Sequence, residues 1–310
     1  MSTRELTRPP RLRPGAVVAV VAPAGPVPAE LLETGLALLR DWGLEVRVGK
    51  HVLDRHPRLD YLAGTDADRA ADLQQAWCDP EVEAVFCARG GYGCLRMIDH
   101  LDFGELAAAG PKVLVGSSDV TALHEVFAAE LGLATIFGPM VATKAFAHDD
   151  KARDHLRRTL FTPEAVTILT GRNAATMVPG RALGVTYGGN LSLLAGSLGA
   201  GLAARPPERG IALLEDVTEE PYRLDRFLIQ LIRAGFFAGA TGIALGSWTD
   251  CGPVEEVRAM LENLLGDLGV PILWELGFGH CEAQRTVPLG VAAELDADAQ
   301  RLSVLQPALR

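Results

Sequence analysis

The sequence predicts an α/β protein, with an N-terminal three-layer domain around a parallel sheet and a smaller C-terminal α/β domain. Three observations lead there. Short apolar runs alternate with amphipathic stretches through the first half, the pattern of buried parallel strands wrapped by helices. At roughly 150 residues per domain, a chain of 310 residues makes about two domains. From residue 151 to 183 the pattern weakens around Pro163, Gly171, Pro179 and Gly180, which places the boundary between domains 1–165 and 166–310.

Strands are expected at 17–21, 44–48, 83–88, 112–115 and 134–137. Helical periodicity fills the gaps at 29–42, stopped by Gly43, then at 67–77, 93–101 and 120–131. The order is βαβα, so a ligand belongs at the C-terminal ends of the strands. In the second half, 210–214 leads into a helical pattern at 222–237, and 243–246 into another at 254–268. A strand at 272–274 precedes a hairpin of 291–295 and 301–305 that turns at Asp296-Ala297-Asp298.

Composition narrows the function classes. With 29 Lys+Arg against 39 Asp+Glu the formal charge is −10, and Lys50, Lys112, Lys144 and Lys151 are the only lysines. An acidic surface repels phosphate backbones and argues against nucleic acid as a partner. A hydrophobic fraction of 48% with 22% charged residues describes a globular chain. Cys78, Cys87, Cys94, Cys251 and Cys281 are odd in number and scattered, with no C-x-x-C, which favours free thiols in a reducing, cytoplasmic compartment over disulfides or a zinc site. No apolar run reaches the roughly 18 residues that would span a membrane. Arg4, Arg8, Arg11 and Arg13 before the apolar run 16–21 and Ala22-Pro23-Ala24 imitate an export signal. That run is short for a signal, and cleavage would remove the first strand, so a buried strand is expected.

The most informative segment runs from Lys112 through Gly116-Ser117-Ser118-Asp119 into the helical pattern at 120–131. A strand-to-helix turn with Gly two residues before Ser is the geometry of a nucleophile elbow, which lifts Oγ above the sheet and offers the next backbone N–H to an oxyanion. Ser118 fits the third position of Gly-x-Ser, and Asp119 stands where the usual pattern has a second Gly. Ser and Asp are also preferred helix N-caps, so a purely structural role accounts for the same residues.

A serine nucleophile needs a base. Among seven histidines, His124 lies six residues along the helix on another face, and His148 and His155 flank the polar boundary, where a solvated role is expected. His280 sits in the Gly-rich loop Leu276-Gly277-Phe278-Gly279-His280 after the 272–274 strand, a plausible setting for a general base. Glu215-Asp216 end the apolar run 211–214, so one of them can orient the imidazole. Glu219, Glu220 and Asp225 read as first-turn helix charges. A second Gly-rich loop, Arg89-Gly90-Gly91-Tyr92-Gly93, ends the third strand. It is a poor dinucleotide loop, because Arg96 occupies the place of the third Gly, but its N–H groups suit a carboxylate or an oxyanion. No P-loop or metal-spaced motif is present, so neither cofactor nor metal is expected.

Taken together, these segments resemble the LD-carboxypeptidase family of serine peptidases, which also contains the microcin C immunity peptidases. The likeness runs from Arg13-Pro14-Gly15 and Val20-Val21-Ala22-Pro23-Ala24-Gly25-Pro26 through Tyr61-Leu62-Ala63-Gly64-Thr65-Asp66, Arg89-Gly90-Gly91-Tyr92-Gly93 and Gly116-Ser117-Ser118-Asp119-Val120-Thr121. It continues in Gly188-Gly189-Asn190-Leu191, Leu214-Glu215-Asp216, Pro221-Tyr222-Arg223, Gly279-His280 and Pro288-Leu289-Gly290.

The resemblance implies a flavodoxin/glutamine-amidotransferase-like N-terminal domain carrying the nucleophile, and a C-terminal domain carrying the Glu and His. It implies Ser118 as nucleophile, His280 as general base and then acid, Glu215 as orienting carboxylate, and the backbone N–H groups of Gly91 and Asp119 as oxyanion hole. Arg89 and Gly90 are candidate substrate contacts. The implied substrate is a murein tetrapeptide cut before its terminal D-alanine, by a cytoplasmic homodimer without membrane or nucleic-acid partners. A microcin-immunity-like peptidase acting on peptidyl- or aminoacyl-nucleotide conjugates is the competing reading within this chemistry. A non-catalytic protein that binds a small anion is the competing reading outside it.

Overall fold

Alternation of strand and helix winds the first half of the chain into a parallel sheet. In the computed structural model, which describes residues 6–201 and 206–310, this sheet contains β1 (Val17–Val21), β2 (Glu45–Val48), β3 (Val82–Cys87), β4 (Val113–Gly116) and β5 (Thr135–Phe137) in the spatial order β5-β4-β3-β1-β2. Between the strands run α1 (Ala29–Asp41), α2 (Asp66–Cys78), α3 (Cys94–Met97), α4 (Phe103–Ala108) and α5 (Thr121–Leu131). Successive strand side chains point to opposite faces. Val18 and Val20 therefore join Leu32, Leu36 and Leu39 of α1 in one apolar layer. Ala19 and Val21 join Leu73 and Trp77 of α2 and Val126 and Phe127 of α5 in the other. These are the three layers the sequence predicts. The helix expected at 93–101 divides into α3 and a 3₁₀ turn at Ile98–His100.

Beyond α6 (Lys144–Ala147) and α7 (Asp150–Phe161) the chain builds a second sheet. Its members are β6 (Ile168–Leu169), β7 (Ala175–Val178), β8 (Arg181–Asn190), β9 (Gly210–Val217), β10 (Ala240–Thr249) and β11 (Ile272–Trp274), with the hairpin β13 (Ala292–Asp296) and β14 (Arg301–Val304). The order is β6-β14-β13-β8-β9-β10-β11-β7, and β8, β9, β10 and β11 are mutually parallel. Helices α8 (Leu191–Gly196), α9 (Pro221–Arg233) and α10 (Val254–Leu265) cover one face. The other face meets Ala134 and Phe137 of the first sheet in a shared core. β12 (Val287–Leu289) crosses back and pairs antiparallel with β5, placing Pro288 on the edge of the first sheet, where its missing N–H breaks no ladder.

Two further features depart from the sequence reading and bear on the site. β8 has ten residues, yet the glycines and breakers around it hid it. Those glycines mark close approach: a Cβ on Gly189 would lie 2.7 Å from Thr121 Oγ1, where the second sheet meets α5. His155, expected to be solvated, is buried. Its Nδ1 accepts from Thr286 N at 3.1 Å and so holds the crossing strand in place.

Candidate active site

The turn after β4 puts Ser118 in the left-handed region, with φ 60°, where a side chain other than glycine is strained. The turn is tight enough that a Cβ on Gly116 would come within 2.5 Å of Val120 Cγ1. Ser118 is partly exposed, whereas Ser117 is buried and caps nothing through its side chain. A strained, solvent-facing serine at the C-terminal end of a central parallel strand is what a nucleophile elbow requires, and simple N-capping does not require it. His124, on α5, sits within hydrogen-bond range of Gly116 O at 3.1 Å and so braces the strand end from below.

Glu215 lies at the corresponding end of β9 in the second sheet and is fully buried, while the His280 side chain is 29% exposed. Glu215 Oε2 accepts from His280 Nδ1 at 2.8 Å and from the His280 backbone N–H at 3.2 Å. A carboxylate on Nδ1 places the ring proton there and leaves the Nε2 lone pair free to act as base. Gly279 makes this contact possible, because a Cβ at that position would lie 2.5 Å from Glu215 Oε2. Burial pulls the His280 pKa down, but the Glu215 carboxylate outweighs it and leaves the pKa above the ordinary histidine value.

No hydrogen bond joins Ser118 to His280 among the described residues, and the Nε2 side of the ring is unpaired. Unliganded sites are often looser than catalytic geometry and tighten around substrate. Asp216, the other carboxylate at this strand end, turns away from the imidazole. It accepts from Ser192 N and Val217 N, each at 2.8 Å, and from Asn190 Nδ2 at 3.0 Å. Glu219, at the start of α9, pairs with Arg223.

The loop 89–93 faces the elbow. Gly90 lies directly against Ser118, and the Gly91 N–H, at φ 110°, has no hydrogen-bond partner among the described residues. The Asp119 carboxylate is buried and accepts from Cys94 N at 2.8 Å, tying the elbow to the far end of this loop. Arg89 is exposed and donates to Pro26 O at 2.6 Å. Sequence reasoning missed Arg69, a guanidinium 1% exposed on α2. It donates to Pro23 O, to Gly93 O at 2.8 Å and to Asp66, clamping both loops beside Ser118. The available signal was its place among Ala70, Leu73 and Trp77 on the buried stripe of that helix. Away from the site, His51 has Asp54 on Nδ1 at 2.7 Å and Asp68 at 3.8 Å from Nε2, an arrangement that favours an imidazolium.

The chain matches the LD-carboxypeptidase N-terminal domain over residues 18–138 and the LD-carboxypeptidase C-terminal domain over 183–295. It is 58% identical over 306 residues to a protein of Streptomyces coelicolor, covering 99% of this chain and 98% of the other. It is 35% identical over 294 residues to the murein tetrapeptide carboxypeptidase of Pseudomonas aeruginosa, covering 92% of this chain and 94% of the other. The crystal structure of muramoyltetrapeptide carboxypeptidase from Oxalobacter formigenes superposes with a TM-score of 0.79 at 29% identity, over 92% of this chain and 97% of that one. The microcin C7 self immunity protein MccF superposes at 0.86 over 98% of this chain and 100% of that one, with 23% identity, a likeness of fold. With both halves of its sequence matched, and with a relative this similar along almost its whole length, the chain belongs to the LD-carboxypeptidase family.

Proposed function

We propose that this protein is a serine LD-carboxypeptidase that releases terminal D-alanine from murein tetrapeptides through Ser118, His280 and Glu215. The observation that supports this reading is the buried Glu215 bonded to His280 Nδ1 on the second sheet, together with a serine strained into an elbow on the first. Ser118 Oγ attacks the carbonyl of the diamino acid while His280 Nε2 takes its proton, and the imidazolium is stabilised by Glu215. The developing oxyanion is met by the N–H groups of Gly91 and Asp119. His280 then protonates the departing D-alanine amine, and water, deprotonated by the same ring, releases the acyl group.

The printed names of the Pseudomonas and Oxalobacter relatives support the substrate. The free thiols of all five cysteines support action in a reducing cytoplasm, and the family resemblance is what supports a homodimer. Incubating the protein with a murein tetrapeptide should release D-alanine, and Ser118→Ala should lower kcat by about 10⁶-fold with little change in binding. Turnover of an aminoacyl-nucleotide conjugate with no D-alanine release would overturn the substrate. Undiminished turnover by Ser118→Ala would overturn the mechanism.

A further inference from the structure

Asn190 is the last residue of β8, pairs in register with Glu215 on β9, and is 2% exposed. Its Nδ2 donates to Glu215 Oε1 at 3.2 Å and to Asp216 Oδ1 at 3.0 Å. Its Oδ1 accepts from Ser192 Oγ at 2.8 Å and from Leu193 N at 3.2 Å, capping α8. Its backbone N–H donates to Thr121 Oγ1 at 3.0 Å, at the first residue of α5. Every polar atom of the side chain is used, and the amide cannot be reversed without facing carbonyl oxygen to carboxylates and NH₂ to a backbone N–H. An asparagine is the residue that both caps a helix and offers two donors to two carboxylates.

We infer that Asn190 is a positioning residue for this reaction, holding Glu215 against His280 and tying that carboxylate to the helix that follows the nucleophile. The inference rests on the triad reading above. Thr121 and Ser118 are three residues apart, so the bond from Asn190 to Thr121 is the shortest polar link between the elbow on one sheet and the carboxylate on the other among the described hydrogen bonds. The groups facing the Glu215–Asp216 pair are His280, Cys251 and Cys281, together with the backbone N–H groups of His280, Ser192 and Val217. Burial pushes both thiols up to about 11, so they carry no charge near neutrality. Burial and the neighbouring Glu215 likewise push Asp216 up to about 6. Two adjacent buried carboxylates thus have one imidazole and one amide as their side-chain donors, with a more distant contribution from Ser192 Oγ at 3.5 Å.

Asn190→Asp tests this, because aspartate caps a helix as well as asparagine does but replaces the donor with a third carboxylate. Its kcat for D-alanine release should fall about 10- to 100-fold with KM within about threefold, the usual effect of losing a hydrogen bond to a charged group. The acid limb of kcat/KM should move to higher pH, since the added negative charge raises the proton affinity of His280. In a Glu215→Gln background the same change should cost less than about threefold, because the two residues act as one unit. Should Asn190→Asp fail to fold, Asn190→Ser keeps a cap without the reach and carries the same kcat and coupling expectations. Wild-type kcat and pH profile in the folded variant, or a full fold-loss in the Glu215→Gln background, would overturn the inference. Undiminished turnover by Ser118→Ala would instead mark failure of the underlying triad.

Discussion

Gly90→Ala is a stringent test of the site geometry. The new methyl would lie 2.8 Å from Ser118 Cβ, 3.0 Å from Ser118 Oγ and 3.3 Å from Met140 Cε. Carbon atoms pack best at about 3.5–4.0 Å, so the overlap with Ser118 Cβ is about 0.7 Å. Met140 ends in a flexible methyl and can yield. Ser118 cannot, because its turn is closed by Val120 against Gly116 and by Asp119 on Cys94 N. The loop carrying residue 90 is pinned in turn by Gly25 N to Gly90 O at 3.0 Å. Overpacking of this kind costs about 1–3 kcal/mol of stability. Displacement of a reacting atom by roughly 1 Å costs about 100-fold in rate. We therefore expect kcat/KM for D-alanine release to fall about 100-fold, with parallel slowing of Ser118 labelling by a fluorophosphonate and a small loss in thermal midpoint. Gly266→Ala, where the new methyl meets nothing within 4 Å, is the control. Activity of Gly90→Ala within threefold of wild type, at an undisturbed midpoint, would refute the placement of this loop against the nucleophile.

Other outcomes follow from the same structure. Glu215→Gln should lower kcat by about 10²- to 10⁴-fold. Because burial lowers and Glu215 raises the His280 pKa, the acid limb of the residual activity should move below its wild-type position, which lies above the ordinary value of about 6.5. Arg69→Met takes the guanidinium away from the Pro23 and Gly93 carbonyls and leaves Asp66 with Arg96 alone, and should destabilise the fold by about 3 kcal/mol, read from chemical denaturation. His124 and His155 are held neutral with pKa values of about 4, by burial for both and secondarily by Arg285 and Arg158 for His155. The unfolded chain takes up these protons near pH 6.5, so this stability is complete above pH 6.5 and is lost as pH falls toward about 4. His124→Gln, which can still donate to Gly116 O, should flatten the fall of the denaturation midpoint over that window.

The sequence by itself determined the parts of this protein that are local. Short apolar runs define β1, β3, β4 and β5 within a residue or two, since a buried parallel strand must be apolar on both faces and its turn must break the pattern, whereas the edge strand β2 shows only alternation of Val with Glu and Arg. The Gly-x-Ser elbow was legible because a strand, a tight turn and a helix are adjacent in the chain. Whether Ser118 is nucleophile or cap was not legible, because both roles select the same residues, and the positive φ, which capping does not require, is visible only in the structure. The tertiary structure decided everything that depends on distant segments meeting. It returned β12 to the first sheet and buried His155 beneath that crossing. It turned Glu215 rather than Asp216 toward His280. It also gave Asn190 its five partners from β9, α8 and α5, and Arg69 its carbonyls from two loops. Such contacts leave no periodic trace, because a side chain's hydrogen-bond partners are set by where the sheets pack and not by what lies beside it in the chain.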